Sequence, residues 1–316
     1  MTENVSNLST TATILGPVFA FLSSVTWALG SSGYAKLSKR FSPFAVNFNR
    51  ALVAFPLFAL VTLAFHRGWS GFEDVSLKNW LWFSLSIFAS YGLGDVLFFR
   101  STTSIGVPAA LAIASCYPVY TALIASIQGG TALSRGQWLG MLVAIAGVVL
   151  VILSRREKGS VDVQAGVEEK GNRVWVGFLL AGMTSVLWSL NSYALSEVGT
   201  QVSIWVSSSI RMGLGLVMSA SFGILFPGVI GRKRESLRMP WVDFRAAIPL
   251  FVIEAFGGSL FFMYGMAHAS LPVASTLSSL APVISVPVAL VLRLERFSWF
   301  RTLGVCLVVM GIWRLV

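Results

Sequence analysis

Two stretches decide how this chain is read: IGVPAALAIASCYPVYT (105–121) and ASLPVASTLSSLAPVIS (269–285). Each is followed by a second matching piece, GTALSRGQWLGMLVAIAGV (130–148) and RLERFSWFRTLGVCLVVMGI (293–312). Sliding the sequence by 164 lays Gly94 on Gly258, Pro108 on Pro272, Pro118 on Pro282, Gly140 on Gly304 and Gly147 on Gly311. Of the 59 positions from Gly94 to Ile152, 12 are identical at that offset without a gap. A fixed internal period is sought before any local motif, because it sets the architecture.

The repeat continues toward the N-terminus at an offset of 161. There Ser24, Val25 and Trp27 fall on Ser185, Val186 and Trp188, and Arg50 falls on Arg211. The three-residue change fits a loop between the second and third apolar runs of each copy.

Of the 316 residues, 55% are hydrophobic and 11% are charged, against about 25% charged in soluble domains. The apolar residues lie in ten runs, near 14–34, 44–66, 79–101, 105–128, 134–154, 174–196, 201–226, 243–266, 271–293 and 298–316. Each is close to the ~20 residues that carry a helix across hydrocarbon. Helices are the expected form, since a lipid-exposed strand leaves its backbone unpaired. The expected fold class is an all-α integral membrane protein of ten transmembrane helices in two five-helix repeats.

The domain reading follows: an N-terminal tail (1–13), a first repeat (14–154), a polar linker (155–173) and a second repeat (174–316). An odd number of spans per repeat inverts the second copy relative to the first, which is the plan of secondary transporters. The first residues lack the basic segment of a secretory signal, so the first run is expected to stay in the membrane.

Net charge is +10, yet the cations cluster between runs without interleaved aromatics, which argues against a nucleic-acid partner. Loops after odd-numbered spans carry sixteen Lys and Arg and the opposite side carries four. The positive-inside rule then puts both termini outside. The two cysteines, Cys116 and Cys306, lie inside apolar runs with no neighbouring ligands, so neither a disulfide framework nor a metal site is expected. No nucleotide-binding loop or other cofactor motif appears.

The Pro-containing fourth and ninth spans, the Gly-spaced fifth and tenth, the Arg in the second and seventh and the Trp in the first and sixth resemble the EamA family of the drug/metabolite transporter superfamily. The second repeat carries that family's short LGE-like turn as Arg293-Leu294-Glu295, while the first has Gly130-Thr131 in its place. The resemblance implies a ten-helix, two-repeat carrier that moves a small metabolite by alternating access, with four helices of each half lining a central cavity. It also implies cytoplasmic termini, opposite to the charge bias.

Charges at membrane depth are costly and are functional candidates by default. Asp95 and Arg50 each lie about six residues from the same face, about 9 Å deep, so a pair between them is geometrically open. Glu254 and Arg211 make the comparable case in the second half, with an axial gap of about 6 Å by the same count that long side chains could close. Asp95 aligns with Ser259 and Glu254 with Ser90, so neither acid obeys the repeat. Residues outside the symmetry are where solute-specific function is expected. Both pairs admit a static structural reading beside a coupling one.

Trp27 and Trp188 sit on small, polar stripes, Ala20, Ser23, Ser24, Trp27, Ser31 and Tyr34 on the first span and Ala181, Ser185, Trp188 and Ser192 on the sixth, with Asn191 adjacent to the second stripe. Tyr91 stands one turn before Asp95. These stripes suit either a cavity lining or close helix contact. The seven-residue glycine spacing suits close packing within the chain, with a homodimer as the alternative. The candidate binding or coupling residues are therefore Trp27, Arg50, Tyr91, Asp95, Trp188, Asn191, Arg211 and Glu254.

The expected function is secondary transport of a small amphipathic metabolite such as an amino acid, with proton coupling through Asp95 or Glu254, in the cell (inner) membrane. An intramembrane enzyme, or a channel or sensor, is the alternative. The enzyme lacks a nucleophile–base set or metal cluster, and an inverted repeat suits a rocking carrier better than a pore.

Overall fold

The computed structural model describes residues 2–65, 70–129, 134–157, 167–225, 236–285 and 298–314, with side chains from Leu15 onward except at 152–157 and 167–172. Gly130-Thr131 and the Arg293-Leu294-Glu295 turn lie outside the described residues.

Helices are α1 (Thr2–Ser38), α2 (Pro43–Phe65), α3 (Ser70–Glu73), α4 (Leu77–Ile87), α5 (Gly94–Ile105), α6 (Val107–Ala114), α7 (Tyr117–Gly129) and α8 (Arg135–Glu157) in the first half. The second half has α9 (Val167–Val198), α10 (Ile204–Leu225), α11 (Trp241–Leu250), α12 (Ser259–His268), α13 (Leu271–Ser278) and α14 (Trp299–Trp313). No strand occurs among the described residues. Seven stretches are long and apolar enough to cross a membrane, and the apolar helices Arg135–Val151, Leu271–Ser285 and Trp299–Trp313 are shorter. The backbone of α1 is helical from Thr2, ahead of the first apolar run, and α8 and α9 extend into the expected linker.

The helix boundaries follow local chemistry. Ser134 and Gln137 form a reciprocal capping box at the start of α8, with N–H···O distances of 3.2 and 2.9 Å. Ser76 Oγ accepts from the Asn79 amide at 3.2 Å to start α4. Gly106, at φ 76°, turns the chain between α5 and α6. Pro108 and Pro272 occupy the first turns of α6 and α13, where a missing N–H costs nothing. Pro118 and Pro282 cannot donate to the preceding turn, and both spans break just before them, at 115–116 and 279–280.

Two π-helical segments interrupt the third and eighth spans. Phe88–Gly92 separates α4 from α5, and Phe251–Gly258 separates α11 from α12. Under the 164-residue shift the first falls on 252–256, within the second. The wider π turn re-aims the side chains that follow it. A Cβ on Gly94 would overlap the Ala89 carbonyl, so the first segment closes only on glycine.

Packing is reciprocal between the halves. In one direction α1 lies on α12 and α13, and in the other α9 lies on α5 and α6. The closing helices α8 and α14 pair antiparallel: a Cβ on Gly140 would come 2.6 Å from the Gly311 carbonyl oxygen, and one on Gly147 2.6 Å from that of Gly304. Gly140 thus meets the repeat equivalent of Gly147, and Gly147 that of Gly140, the exchange a two-fold relation produces. The interior is rich in buried serines, while Leu60, Leu81, Leu142 and Leu179 point outward and are exposed. An apolar exterior around a polar interior is the arrangement lipid requires.

Candidate functional site

The site grows from α2, whose inward face carries Asn47 and Arg50, both buried. Asn47 Nδ2 donates to the Tyr91 carbonyl at 2.6 Å, one of the backbone acceptors in the π segment ahead of Asp95. Arg50, 1% exposed, donates from Nη2 to Asp95 Oδ2. Its Nη1 lies 3.6 Å from Glu254 Oε2, so one guanidinium faces a carboxylate from each half. Its Cζ sits 3.8 Å from the Tyr91 ring centroid and 5.1 Å from that of Tyr34, in cation–π range of both.

Each acid has a further donor from the other half of the chain. Trp188 Nε1 of α9 donates to Asp95 Oδ1 at 2.9 Å, and the Tyr34 hydroxyl of α1 donates to Glu254 Oε2. Glu254 reaches this position over Gly30, where a Cβ would lie 2.6 Å from Glu254 Cγ. Asp95, Glu254, Arg50 and Tyr34 are all buried. Charged groups out of water need partners this close, because their desolvation costs several kcal/mol each.

Asp95 and Arg50 therefore meet as their depths suggest. The Glu254–Arg211 pair that the axial gap leaves open does not form among the described residues. Depth along a straight α-helix ignores direction around the axis, and the π segment turns Glu254 toward α1 and α2. Arg211, 3% exposed, instead donates from Nε to Ser86 Oγ at 3.0 Å and from Nη2 to Asn191 Oδ1 at 3.2 Å. Ser86 Oγ also donates to Asn191 Oδ1 at 2.7 Å. Among the described residues no carboxylate lies within 4.0 Å of Arg211.

Trp27 and Trp188 meet edge-on with centroids 5.5 Å apart, beside Phe98, Phe99 and Tyr117. Higher on α1, the polar stripe makes a helix contact: Ser23 Oγ donates to Ser278 Oγ at 3.1 Å. Two participants escape the sequence reading. Tyr34 shows there only as the seventh residue after Trp27 on the same stripe, and nothing marks Ser86.

Around this cluster the repeats tie together on the side of the α1–α2 and α10–α11 connections. Arg40 forks onto Asp243 at 2.6 and 3.0 Å. Asn49 Nδ2 donates to the Leu237 carbonyl at 2.6 Å. On the opposite side a pocket opens among Gly71, Asp74, Val75, Gln201, Val202, Ser203 and Val206. Among the described residues no set of His, Cys, Asp or Glu could hold a metal ion.

The chain is 25% identical over 295 residues to an uncharacterized transporter of Archaeoglobus fulgidus, covering 93% of this chain and 95% of that one. It shares its fold with a crystal structure described only as a protein, at a TM-score of 0.65 and 20% identity, over 96% of each chain. The EamA-like transporter family matches residues 14–153 and again 175–316. Matched twice, once by each repeat, the chain belongs to the EamA-like transporter family.

Proposed function

We propose that the protein is a secondary carrier in the cell (inner) membrane, with ten spans in two inverted repeats, that moves a small amphipathic metabolite such as an amino acid by alternating access. The observation that carries the reading is the buried cluster in which Arg50 of one repeat is shared by Asp95 of the same repeat and Glu254 of the other. Rocking one repeat against the other must change this sharing. Protonation of either acid weakens its hold on Arg50, so proton binding and rocking become linked. The contacts on the Arg40–Asp243 side and the pocket on the other support a form closed on one face. Family membership and the transporter-named relative favour transport over intramembrane catalysis.

The test is flux in proteoliposomes loaded with labelled amino acids, nucleobases and sugars, with and without a pH gradient. Asp95→Asn and Glu254→Gln are run alongside. Saturable flux of one compound class is expected, accelerated by the gradient and freed from it in one of the variants. Flux indifferent to the gradient in wild type and both variants would remove the coupling role, and no flux from folded protein would remove the carrier reading.

A further inference from the structure

The two arginines are repeat equivalents, yet their surroundings differ in one respect. Under the repeat, the acids facing Arg50, Asp95 and Glu254, map onto Ser259 and Ser90. The second arginine therefore stands in a copy of the first site from which both carboxylates are missing. It is as deeply buried, 3% exposed against 1%, and it keeps its charge at any physiological pH.

What holds Arg211 is neutral: Ser86 Oγ on Nε and Asn191 Oδ1 on Nη2. Its Nη1 has no hydrogen-bond partner among the described residues. Because a guanidinium offers only donors, the amide oxygen of Asn191 must face it, which sends Asn191 Nδ2 elsewhere. That nitrogen also lacks a partner among the described residues. A third donor tells the same story: Trp188 Nε1 bonds Asp95, while its equivalent, Trp27 Nε1, is buried without a partner among the described residues.

We propose that Arg211 and Asn191 bind the carboxylate of the transported solute, so that the substrate is a small organic carboxylate. The inference rests on the carrier reading and adds the substrate class to it. A guanidinium presents parallel N–H groups that match a carboxylate's two oxygens. Arg50, Arg211, Asp95 and Glu254 together carry no net charge, so a monoanion adds one negative charge to the buried cluster and a phosphate dianion adds two, at the larger desolvation cost. On α9, Trp188 lies three residues before Asn191, so the solute's apolar body has an aromatic wall beside its charged end. The carboxylates built into the protein at Arg50 are thus supplied at Arg211 by the cargo.

The test uses the full chain, purified and reconstituted, with wild type, Arg211→Gln, Arg211→Lys and Asn191→Ala. Probes are amino, keto, hydroxy and aromatic carboxylates, including phenylacetate and phenylalanine, against phenylacetamide, phenylalanine methyl ester and phenethylamine. Binding is read as ligand-dependent thermal stabilisation and transport as flux. At least one carboxylate is expected to stabilise and cross, with its amide or ester at least tenfold weaker. Arg211→Lys keeps the charge and loses the fork, so affinity is expected to fall about tenfold. Arg211→Gln is expected to lose carboxylate stabilisation entirely, and Asn191→Ala to weaken it if Arg211→Gln does not fold. Equal flux of esters or amines through wild type overturns the carboxylate site while leaving the carrier intact. Absence of flux with carboxylate stabilisation lost in the Arg211 variants overturns the carrier reading and keeps the site. Absence of stabilisation by every carboxylate overturns the site.

Discussion

Trp27 and Trp188, equivalent positions of the two repeats, touch each other edge to face at 5.5 Å. Equivalent residues in mutual contact lie on the axis that relates the repeats. Yet the two indoles are not used alike. Trp188 Nε1 bonds Asp95, and Trp27 Nε1 has no hydrogen-bond partner among the described residues. Trp188→Phe removes a donor from a buried carboxylate and is expected to cost about 1–3 kcal/mol. Trp27→Phe loses no such bond and is expected to cost clearly less. Thermal melting of the two variants in detergent checks the order. Equal losses would mean that ring packing outweighs the hydrogen bond.

The Arg50 cluster predicts a graded series. Arg50→Gln leaves Asp95 and Glu254 buried without a counter-charge and is expected to lose about 3–5 kcal/mol. Glu254→Gln removes one of two acids and keeps an oxygen for the Tyr34 hydroxyl, so its loss is smaller. The double variant Arg50→Gln/Asp95→Asn is expected to recover part of the loss, because contacting residues are not additive. Urea or thermal unfolding of these proteins and of the single variant Asp95→Asn closes the cycle and measures the coupling. Strict additivity would show that Arg50 and Asp95 do not stabilise one another.

The closing helices give a packing prediction. Gly147→Ala forces a methyl to within 2.6 Å of the Gly304 carbonyl oxygen and the Val308 amide nitrogen, and Gly304→Ala to within 2.8 Å of the Gly147 oxygen. Backbone cannot yield as a side-chain tip does, so each is expected to cost about 1–3 kcal/mol by overpacking. Gly182→Ala meets nothing within 4 Å and is the control, stabilising slightly through its better helix propensity. Melting temperatures that fail to separate these two classes would overturn the α8–α14 contact.

Much of this arrangement is legible in the sequence, and the omissions have a common cause. Gly140, Gly147, Gly304 and Gly311 announce close packing through their spacing, but spacing names no partner, and the α8–α14 pairing emerges only from the fold. Arg50 and Asp95 are found by counting residues from one membrane face, since depth suffices when helices are regular. Glu254 and Arg211 defeat the same count. The π segment at Phe251–Gly258 changes the direction of Glu254 without changing its depth appreciably, and no residue type in FVIEAFGG signals the change. Tyr34 is missed because a buried tyrosine on a small-residue stripe looks like packing until its carboxylate partner is placed.

The contact between α2 and α10 supplies the last prediction. Thr62 Oγ1 and Ser209 Oγ are 2.8 Å apart and both residues are fully buried. They belong to different repeats, so the pair reports whether the halves move past one another. After Cys116 and Cys306 are replaced by alanine, Thr62→Cys/Ser209→Cys brings two thiols to a separation that a disulfide tolerates with little adjustment. Oxidation is expected to cross-link this pair. Thr62→Cys/Ser219→Cys is the control: Ser219 lies ten residues along α10, about 15 Å on the helical rise, and is expected not to cross-link. A carrier that rocks one repeat against the other is expected to lose flux when these helices are tied and to regain it on reduction. Flux that survives complete cross-linking would mean that α2 and α10 travel as one body. The moving boundary would then lie between that body and α1 or α9, and the Arg50–Glu254 contact would have to be preserved through the cycle.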